Sequence, residues 1–318
     1  MEQIDILLAT YNGEKYLKEQ IDSILKQTHS NFRLLISDDC STDGTLDILK
    51  EYEKKDNRII VYRQEENLGY VKNFEFLLGL VENRIYALSD QDDIWIDDKI
   101  ESAIKKMEET KSDLYFSDLY LIDEKGDKIS DSFWKQKGFY KKVIKDKKHK
   151  GLLLNNYVTG CTIVSKKEYI KYFVPFPKEI MHDYWIAIVV SLKGKIIYDK
   201  IPHINYRQHT DNQIGSKMKS KELNSLDEIR NMFIDVKLKH FTILNENKEL
   251  FNEKEQKQNT KALEYYKKLN KTKNINFRNW SLFYKLYKYE NFKYYIANFI
   301  ILNIPMIGRI IYKLKKGK

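Results

Sequence analysis

The residues with the clearest capacity for chemistry are Asp90, Asp92 and Asp93, in the stretch Ser89-Asp90-Gln91-Asp92-Asp93-Ile94-Trp95. They follow Ile85-Tyr86-Ala87-Leu88, an apolar run that reads as a buried strand. Carboxylates crowded at a strand end repel one another, and a hard cation such as Mg2+ or Mn2+ relieves that repulsion. Asp90 and Asp92 form an Asp-x-Asp unit, and an ion held there could bridge to a diphosphate. A short acidic motif also arises in solvated turns, so the weight falls on what accompanies it. Three further polar groups do: Thr10-Tyr11-Asn12-Gly13, Ser37-Asp38-Asp39 and, later, Tyr206-Arg207-Gln208-His209.

The elements that must position these residues alternate strand and helix over the first 120 residues. Residues 4–9, 32–36, 59–62, 85–88 and 114–117 are short apolar runs, as expected of strands buried on both faces. Between them, residues 16–27, 45–52, 71–80 and 97–107 carry apolar side chains at helical spacing, as in Leu17, Ile21, Ile24 and Leu25. Ser41 or Thr42 would cap the second helix, and Asp93 the fourth. This order implies an α/β, doubly wound, mostly parallel sheet between helices. Ligands of such sheets bind beyond the carboxyl ends of the strands, where the polar clusters fall. After residue 120 the pattern loosens. Asp123-Glu124-Lys125-Gly126 reads as a turn and 133–150 as an aromatic, lysine-rich loop. Residues 157–164 and 196–198 read as strands, with a helix over 183–192 between them.

Composition narrows the classes. The 318 residues allow one large or two modest domains, and 42% hydrophobic residues suffice for a packed core. Four prolines and 12 glycines exclude collagen-like or disordered chains. The two cysteines, Cys40 and Cys161, lie outside metal-ligand spacing and fit a reducing compartment. A strand is entered by Ile4 with no basic and apolar leader before it, so no export signal is expected. The net charge of +10 could favour nucleic acid, an anionic membrane or phosphorylated substrates. No helix-turn-helix, zinc-finger or aromatic RNA-binding signature accompanies it, so nucleic acid is not an expected partner.

From about Ser216 onward the chain reads as helical, basic and aromatic, which divides it into 1–215 and a C-terminal region, 216–318. Residues 277–316 hold Trp280, Phe283, Tyr284, Tyr287 and Tyr289, then Ile296-Ala297-Asn298-Phe299-Ile300-Ile301-Leu302, interleaved with lysines. The apolar run is too short and interrupted to span a membrane. It suits an interfacial helix on an anionic leaflet. A helix packed on the first domain, or a dimer contact, is the alternative.

The strand-end clusters, together with Glu66-Asn67-Leu68-Gly69-Tyr70-Val71-Lys72-Asn73-Phe74, resemble in order and spacing the inverting family 2 glycosyltransferases, which have the GT-A fold. The resemblance covers roughly the first 215 residues. Ser89-Asp90-Gln91-Asp92-Asp93-Ile94-Trp95 and Tyr206-Arg207-Gln208-His209 are most similar to the bacterial rhamnosyltransferase-like branch. It implies a Rossmann-like nucleotide-binding half, an acceptor-binding half and a helical C-terminal extension.

The resemblance also implies roles. Thr10 and Tyr11 would line the base pocket, and Asn12, Lys72 and Gln91 would also bind the nucleotide. Asp39, or its neighbour Asp38, would accept the pyrimidine N3–H; an ionised carboxylate only accepts, so it selects uracil or thymine over cytosine. Either aspartate could instead serve a helix N-terminus. Asp90 would reach the ribose, and Asp92 would hold Mn2+ or Mg2+ between the phosphates, with His209 as a second ligand. Arg207 would hold diphosphate oxygens bidentately. Asp183, in Met181-His182-Asp183-Tyr184-Trp185, takes the place of the family's general base; a helix N-cap is its plainer reading. His182 stands where the family has an acidic residue and, with Trp95 and Gly160, would face the acceptor; Trp95 also reads as core or pocket wall. His203 and Cys161 read as structural, and Asp118 as a sugar contact or a turn residue.

The expected activity is transfer of a sugar from a UDP- or dTDP-sugar, dTDP-rhamnose among them, to a glycan or lipid-linked glycan in bacterial surface polysaccharide synthesis. The expected location is the cytoplasmic face of the membrane. The rival classes are a scaffold that kept the fold without catalysis, a polyanion binder, and a metal-dependent nucleotide hydrolase that needs no acceptor.

Overall fold

The computed structural model of the chain describes residues 2–140, 143, 150–153, 155–209 and 226–271. The aromatic C-terminal segment read as a membrane contact lies outside them, as does most of the lysine-rich stretch after Tyr140. The five expected strands are present as β1 (Ile4–Thr10), β2 (Phe32–Asp38), β3 (Ile59–Arg63), β4 (Ile85–Ser89) and β6 (Leu114–Ser117). Between them run α1 (Leu17–Leu25), α2 (Thr45–Lys55), α3 (Tyr70–Gly79) and α4 (Lys99–Thr110). With β9 (Val164–Lys166) and β10 (Ile196–Asp199), the strands form a sheet in the order β10-β6-β9-β4-β1-β2-β3. Its pairings are parallel except those of β9, which runs antiparallel between β4 and β6.

Period-two alternation explains the layers. Ile4, Ile6 and Leu8 of β1 and Leu34 and Ile36 of β2 join Leu17, Ile21 and Ile24 of α1 and Ile100, Ala103 and Met107 of α4 in one buried cluster. Leu7 and Leu35, one residue out of phase, point to the opposite face and are equally buried. Ile21 is fully buried, so truncation to alanine there would cost roughly 2–5 kcal/mol.

A second sheet was not legible in the sequence. β5 (Ile94–Trp95), β7 (Tyr120–Ile122), β8 (Lys128–Ser130) and β11 (Ile204–Arg207) assemble in the order β5-β11-β7-β8. The expected turn at Asp123 closes the β7–β8 hairpin, where the Asp123 carboxylate accepts from the N–H groups of Lys125 and Asp127. Asp118 is a turn residue of the same region. Its carboxylate accepts from the N–H groups of Leu119 and Trp134 and from the Ser132 hydroxyl, which leaves little of it for a sugar.

Two local expectations are corrected. Residues 157–164 do not form one strand: Gly160–Thr162 is a 3-10 turn, and β9 begins only at Val164. The helices are not capped as expected. Gly44 holds the N-cap position of α2, while the Ser41 hydroxyl accepts from the Asn12 N–H and the Thr42 N–H donates to the Asn12 side chain. Asp98, not Asp93, precedes α4.

Contacts along the chain define two compact units. One comprises Met1–Val143, Asn156–Phe176 and Ile180–Asn212; the other, Ile144–Asn155, Pro177–Glu179 and Gln213–Lys318. In the second unit, helices Leu226–Glu246 and Glu253–Lys271 pack together, and Phe241 stacks on Tyr266 at 5.6 Å. Among the described residues no helix is long and apolar enough to cross a membrane.

Candidate active site

The carboxyl ends of β1, β2 and β4 bring the polar clusters together. Thr10 and Asp38 are register partners in the β1–β2 pairing, and the Asp39 N–H donates to the Thr10 carbonyl at 2.8 Å. Gln91 ties the β1 end to the acidic loop: its Oε1 accepts from the Thr10 hydroxyl at 2.6 Å and the Tyr11 N–H at 2.8 Å. Asn12 adopts a φ of 48°, a left-handed turn that asparagine tolerates. Tyr11 keeps 41% of its surface exposed, which leaves a ring face for a ligand.

Asp38 and Asp39 divide their work. Both oxygens of Asp39 accept backbone N–H groups, from Leu68 at 2.8 Å and Gly69 at 2.9 Å. This carboxylate seats the loop that opens α3. Asp38 accepts from the Ser41 N–H at 3.2 Å, and its Oδ1 is buried with no hydrogen-bond partner. A buried acceptor without a donor is costly, and a ligand N–H would satisfy it. Lys72 forms an ion pair with Glu75 at 2.5 Å on the first turn of α3.

The acidic loop follows β4. Asp90 is partly exposed, and burial, followed by the charges of Asp92 and Asp183, pushes its carboxyl up to about 7. Asp92 Oδ2 lies 2.7 Å from His209 Nε2. Asp93 is fully buried and sits well above the usual carboxylate range, first through burial and then through Asp92 and Asp90. Lys99 lies beneath this cluster on α4, with its ammonium 3.2 Å from the centre of the Trp95 ring. Burial lowers it to about 7, against the opposing pull of Cys161, Asp93 and Asp90.

These side chains fit a divalent cation. Atoms of Asp90, Asp93 and Cys161 converge within 4.8 Å of one another; Asp92, of the same acidic loop, and His209, 2.7 Å apart, form a separate carboxylate–imidazole pair. Burial and the two aspartates hold the Cys161 thiol well above its usual range, so it is a poor ligand beside the carboxylates. A hard ion would take oxygen from Asp90 and Asp92 and nitrogen from His209. Raised carboxyls packed together are the condition that such an ion relieves.

Asp183 opens helix His182–Lys193 from inside its first turn; the N-cap position is Met181, so Asp183 is not the cap. Its carboxyl is buried and pushed up to about 7 by that burial, opposed by the Tyr184 N–H, the Asn156 side chain and the Gly160 N–H. Asn156 donates to Asp183 Oδ1 at 3.2 Å. The charge of Asp183 is felt at Asp90, and Asp183 lies against Gly160, whose neighbour Cys161 converges with Asp90 and Asp93. His182 is buried and stacked on Phe74 at 4.4 Å, with both ring nitrogens unpartnered; burial drops it to about 3, so it is neutral.

Three expected ligand contacts are corrected. Trp95 is not at the acceptor. It is buried in the core beneath Lys99, and its backbone N–H donates to the Ser23 hydroxyl oxygen. Gly160 does not lie on a strand; it opens a 3-10 turn, where an added Cβ would come within 3.2 Å of His182 Nε2 and 3.6 Å of Asp183 Cβ. Arg207 does not present its guanidinium to a diphosphate. It is 1% exposed and donates to Glu19, to the Asp92 carbonyl and to the carbonyls of the β7–β8 turn. His203, read as structural, pairs with Asp98 at 3.0 Å.

Sequence reasoning missed Asn156, Lys99, Glu19 and Phe74. Lys99 had a signal, a lysine in phase with the buried stripe Ile100, Ala103 and Met107. Asn156 lies in an irregular segment and had none.

A family profile, glycosyl transferase family 2, matches residues 5–173. An uncharacterized glycosyltransferase of Methanocaldococcus jannaschii is 31% identical over 226 residues, 70% of this chain and 76% of its own. The dTDP-rhamnosyl transferase RfbG of Shigella flexneri is 32% identical over 229 residues, 67% of this chain and 75% of its own. Among solved structures, S. aureus TarS 1–349 in complex with UDP-GlcNAc superimposes with a TM-score of 0.59 at 20% identity, over 94% of this chain and 78% of that one. This last likeness carries the fold alone.

Proposed function

This chain belongs to glycosyl transferase family 2, and we propose that it transfers a sugar, with inversion, from a UDP- or dTDP-sugar to a glycan or lipid-linked glycan. The observation that carries this reading is the placement of Asp183 against Gly160, whose neighbour Cys161 converges with Asp90 and Asp93 of the acidic loop. An acceptor hydroxyl must lose its proton as it attacks the anomeric carbon. Asp183, buried and oriented by Asn156 and the Tyr184 N–H, is built to take it. On the other side, Asp90 and Asp92 with His209 would hold Mn2+ or Mg2+, which supplies charge neutralisation for the departing diphosphate.

The base pocket supports a pyrimidine donor. Tyr11 offers an exposed ring, and Asp38 holds a buried acceptor without a partner. A carboxylate there takes the N3–H of uracil or thymine and repels cytosine, whose N3 carries no hydrogen. The likeness to a dTDP-rhamnosyl transferase supports dTDP-rhamnose as one donor to test. The neutral His182, with two unpartnered nitrogens beside Asp183, would bind a hydroxyl of the acceptor. The setting in this reading is surface polysaccharide synthesis at the inner face of a bacterial membrane, with residues 277–318 as the contact.

The test is calorimetric titration of the full chain with UDP, dTDP, CDP, GDP and ADP, each with and without Mn2+. Binding confined to UDP or dTDP, measurable without metal and strengthened by Mn2+, is the expected result. No nucleotide binding under any condition would overturn the reading. Release of diphosphate from a bound UDP- or dTDP-sugar at the same rate with and without acceptors would point to a hydrolase instead.

A further inference from the structure

Arg207 is a heavily engaged side chain of the site, and its guanidinium donates to main-chain carbonyls and to Glu19. Its Nε donates to the Asp92 carbonyl at 3.0 Å. One terminal nitrogen donates to the Glu124 carbonyl at 3.1 Å, and the other to Glu19 Oε2 at 2.6 Å. The guanidinium lies over the Tyr16 ring at 4.5 Å, and His209 packs on the same ring at 5.1 Å. Its own backbone N–H donates to Asp93 Oδ1 at 3.2 Å. One residue of β11 therefore touches both ends of the Asp92-Asp93 pair, the first turns of α1 and the β7–β8 turn.

A buried guanidinium needs an anion and several acceptors, and its planar fork fixes their directions. Here the anion is Glu19, brought in by α1, and the carbonyl acceptors belong to the acidic loop and the hairpin. Asp92 is thus held through its main chain, while its carboxylate is left to face His209. Tyr16 braces both Arg207 and His209 from one ring.

We propose that Arg207, anchored by Glu19 and Tyr16, is a positioning residue that fixes the Asp92 carboxylate and the His209 imidazole for a divalent cation, rather than a group that binds phosphate. This rests on the reading of Asp92 and His209 as cation ligands. The second layer of a metal site orients its ligands, and its loss typically weakens metal affinity about 10- to 100-fold.

Three variants test it: Arg207→Lys, which keeps the charge and loses the fork, Arg207→Met, and Glu19→Gln. Glu19 is 55% exposed at its side chain, so Glu19→Gln is expected to fold normally even if the buried arginine variants do not. Mn2+ affinity is read by titration at fixed UDP or dTDP, and nucleotide affinity separately in chelator. The expected result is Mn2+ binding weakened roughly 10- to 100-fold in the Arg207 variants and several-fold in Glu19→Gln. Metal-free nucleotide affinity stays unchanged, and excess Mn2+ restores turnover. If Arg207 instead contacts phosphate, its variants lose metal-free affinity for the diphosphate and Glu19→Gln changes nothing. Either of those observations overturns the proposal. Failure of the wild-type chain to bind nucleotide with Mn2+ would sink the functional reading itself, a result distinct from wild-type binding that Glu19→Gln leaves untouched.

Discussion

A carboxyl acts as a general base only while ionised, so the burial of Asp183 has a direct kinetic signature. With its carboxyl pushed up to about 7, kcat/KM is expected to rise with pH through that value and level off above it. Asp183→Asn removes the base with little change in volume; transfer should fall about 10²- to 10⁴-fold while donor affinity holds. The same shift has a stability sign. A carboxyl whose folded value lies above its unfolded 3.8 contributes stability below about 4 and loses it as pH rises through about 7. Asp183→Asn should therefore melt higher than wild type at pH 8, by on the order of 1–4 kcal/mol, with the gap closing by pH 4. Thermal unfolding of metal-free protein at the two pH values checks this; equal gaps at both would show that the carboxyl is not strained by burial. Asp183, Asp90 and Asp92 could be proposed from the sequence because their chemistry would be carried by residue type and place. The contacts of Arg207 could not, because an arginine beside a histidine reads as an anion binder, and only the fold reveals that Glu19 and the Asp92 carbonyl already claim it.

At the scale of elements, two glycines of the nucleotide side constrain different things. Gly69 precedes α3 with φ 78° and ψ 153°, a region essentially closed to other residues, yet an added Cβ there would meet nothing within 4 Å. Gly69→Ala should then cost about 1–3 kcal/mol through backbone strain alone, and its strain would be felt by the Asp39 latch on the same N–H. Gly13 is the converse. Its Cβ would fall 2.5 Å from Gln91 Oε1 and 2.8 Å from Thr10 Oγ1, so Gly13→Ala must displace the bridge between the β1 end and the acidic loop. Denaturant unfolding should separate Gly69→Ala as the more destabilised, and nucleotide titration Gly13→Ala as the weaker binder; the reverse order would contradict this division. Six of the seven main-sheet strands were legible because they are apolar runs of four to seven residues framed by helical periodicity, whereas the three-residue β9 was misread. The second sheet was not, because β5, β7 and β8 span only two or three residues, too few for alternation to register. Yet that sheet carries Arg207 and leads into His209, so the least legible element holds the far wall of the site.

The charge of the whole chain is unevenly placed. Residues 277–318 contain Arg278, Lys285, Lys288, Lys293, Arg309, Lys313, Lys315, Lys316 and Lys318 against the single acid Glu290, a net of +8 out of the chain's +10. The rest of the protein is close to neutral, and its site is acidic. A basic site would draw a nucleotide sugar by long-range attraction; this chain concentrates its positive charge elsewhere, next to aromatic residues suited to a membrane interface. Each Lys or Arg near an anionic bilayer contributes about 1 kcal/mol, and the attraction fades within a Debye length. The full chain should therefore bind vesicles containing anionic lipid, bind neutral vesicles far more weakly, and release as salt is raised from 0.05 to 0.5 M, all on the order of these screening lengths. Deleting residues 277–318 should abolish that association while leaving Mn2+-dependent nucleotide binding intact, because the site residues belong to the other unit. Vesicle binding unchanged by the deletion would assign the tail to packing or self-association instead, and a change in oligomeric state on deletion would identify the latter. Loss of vesicle binding with retained nucleotide affinity would assign membrane association to residues 277–318 and nucleotide binding to the unit that holds Asp38, Asp90 and Asp183.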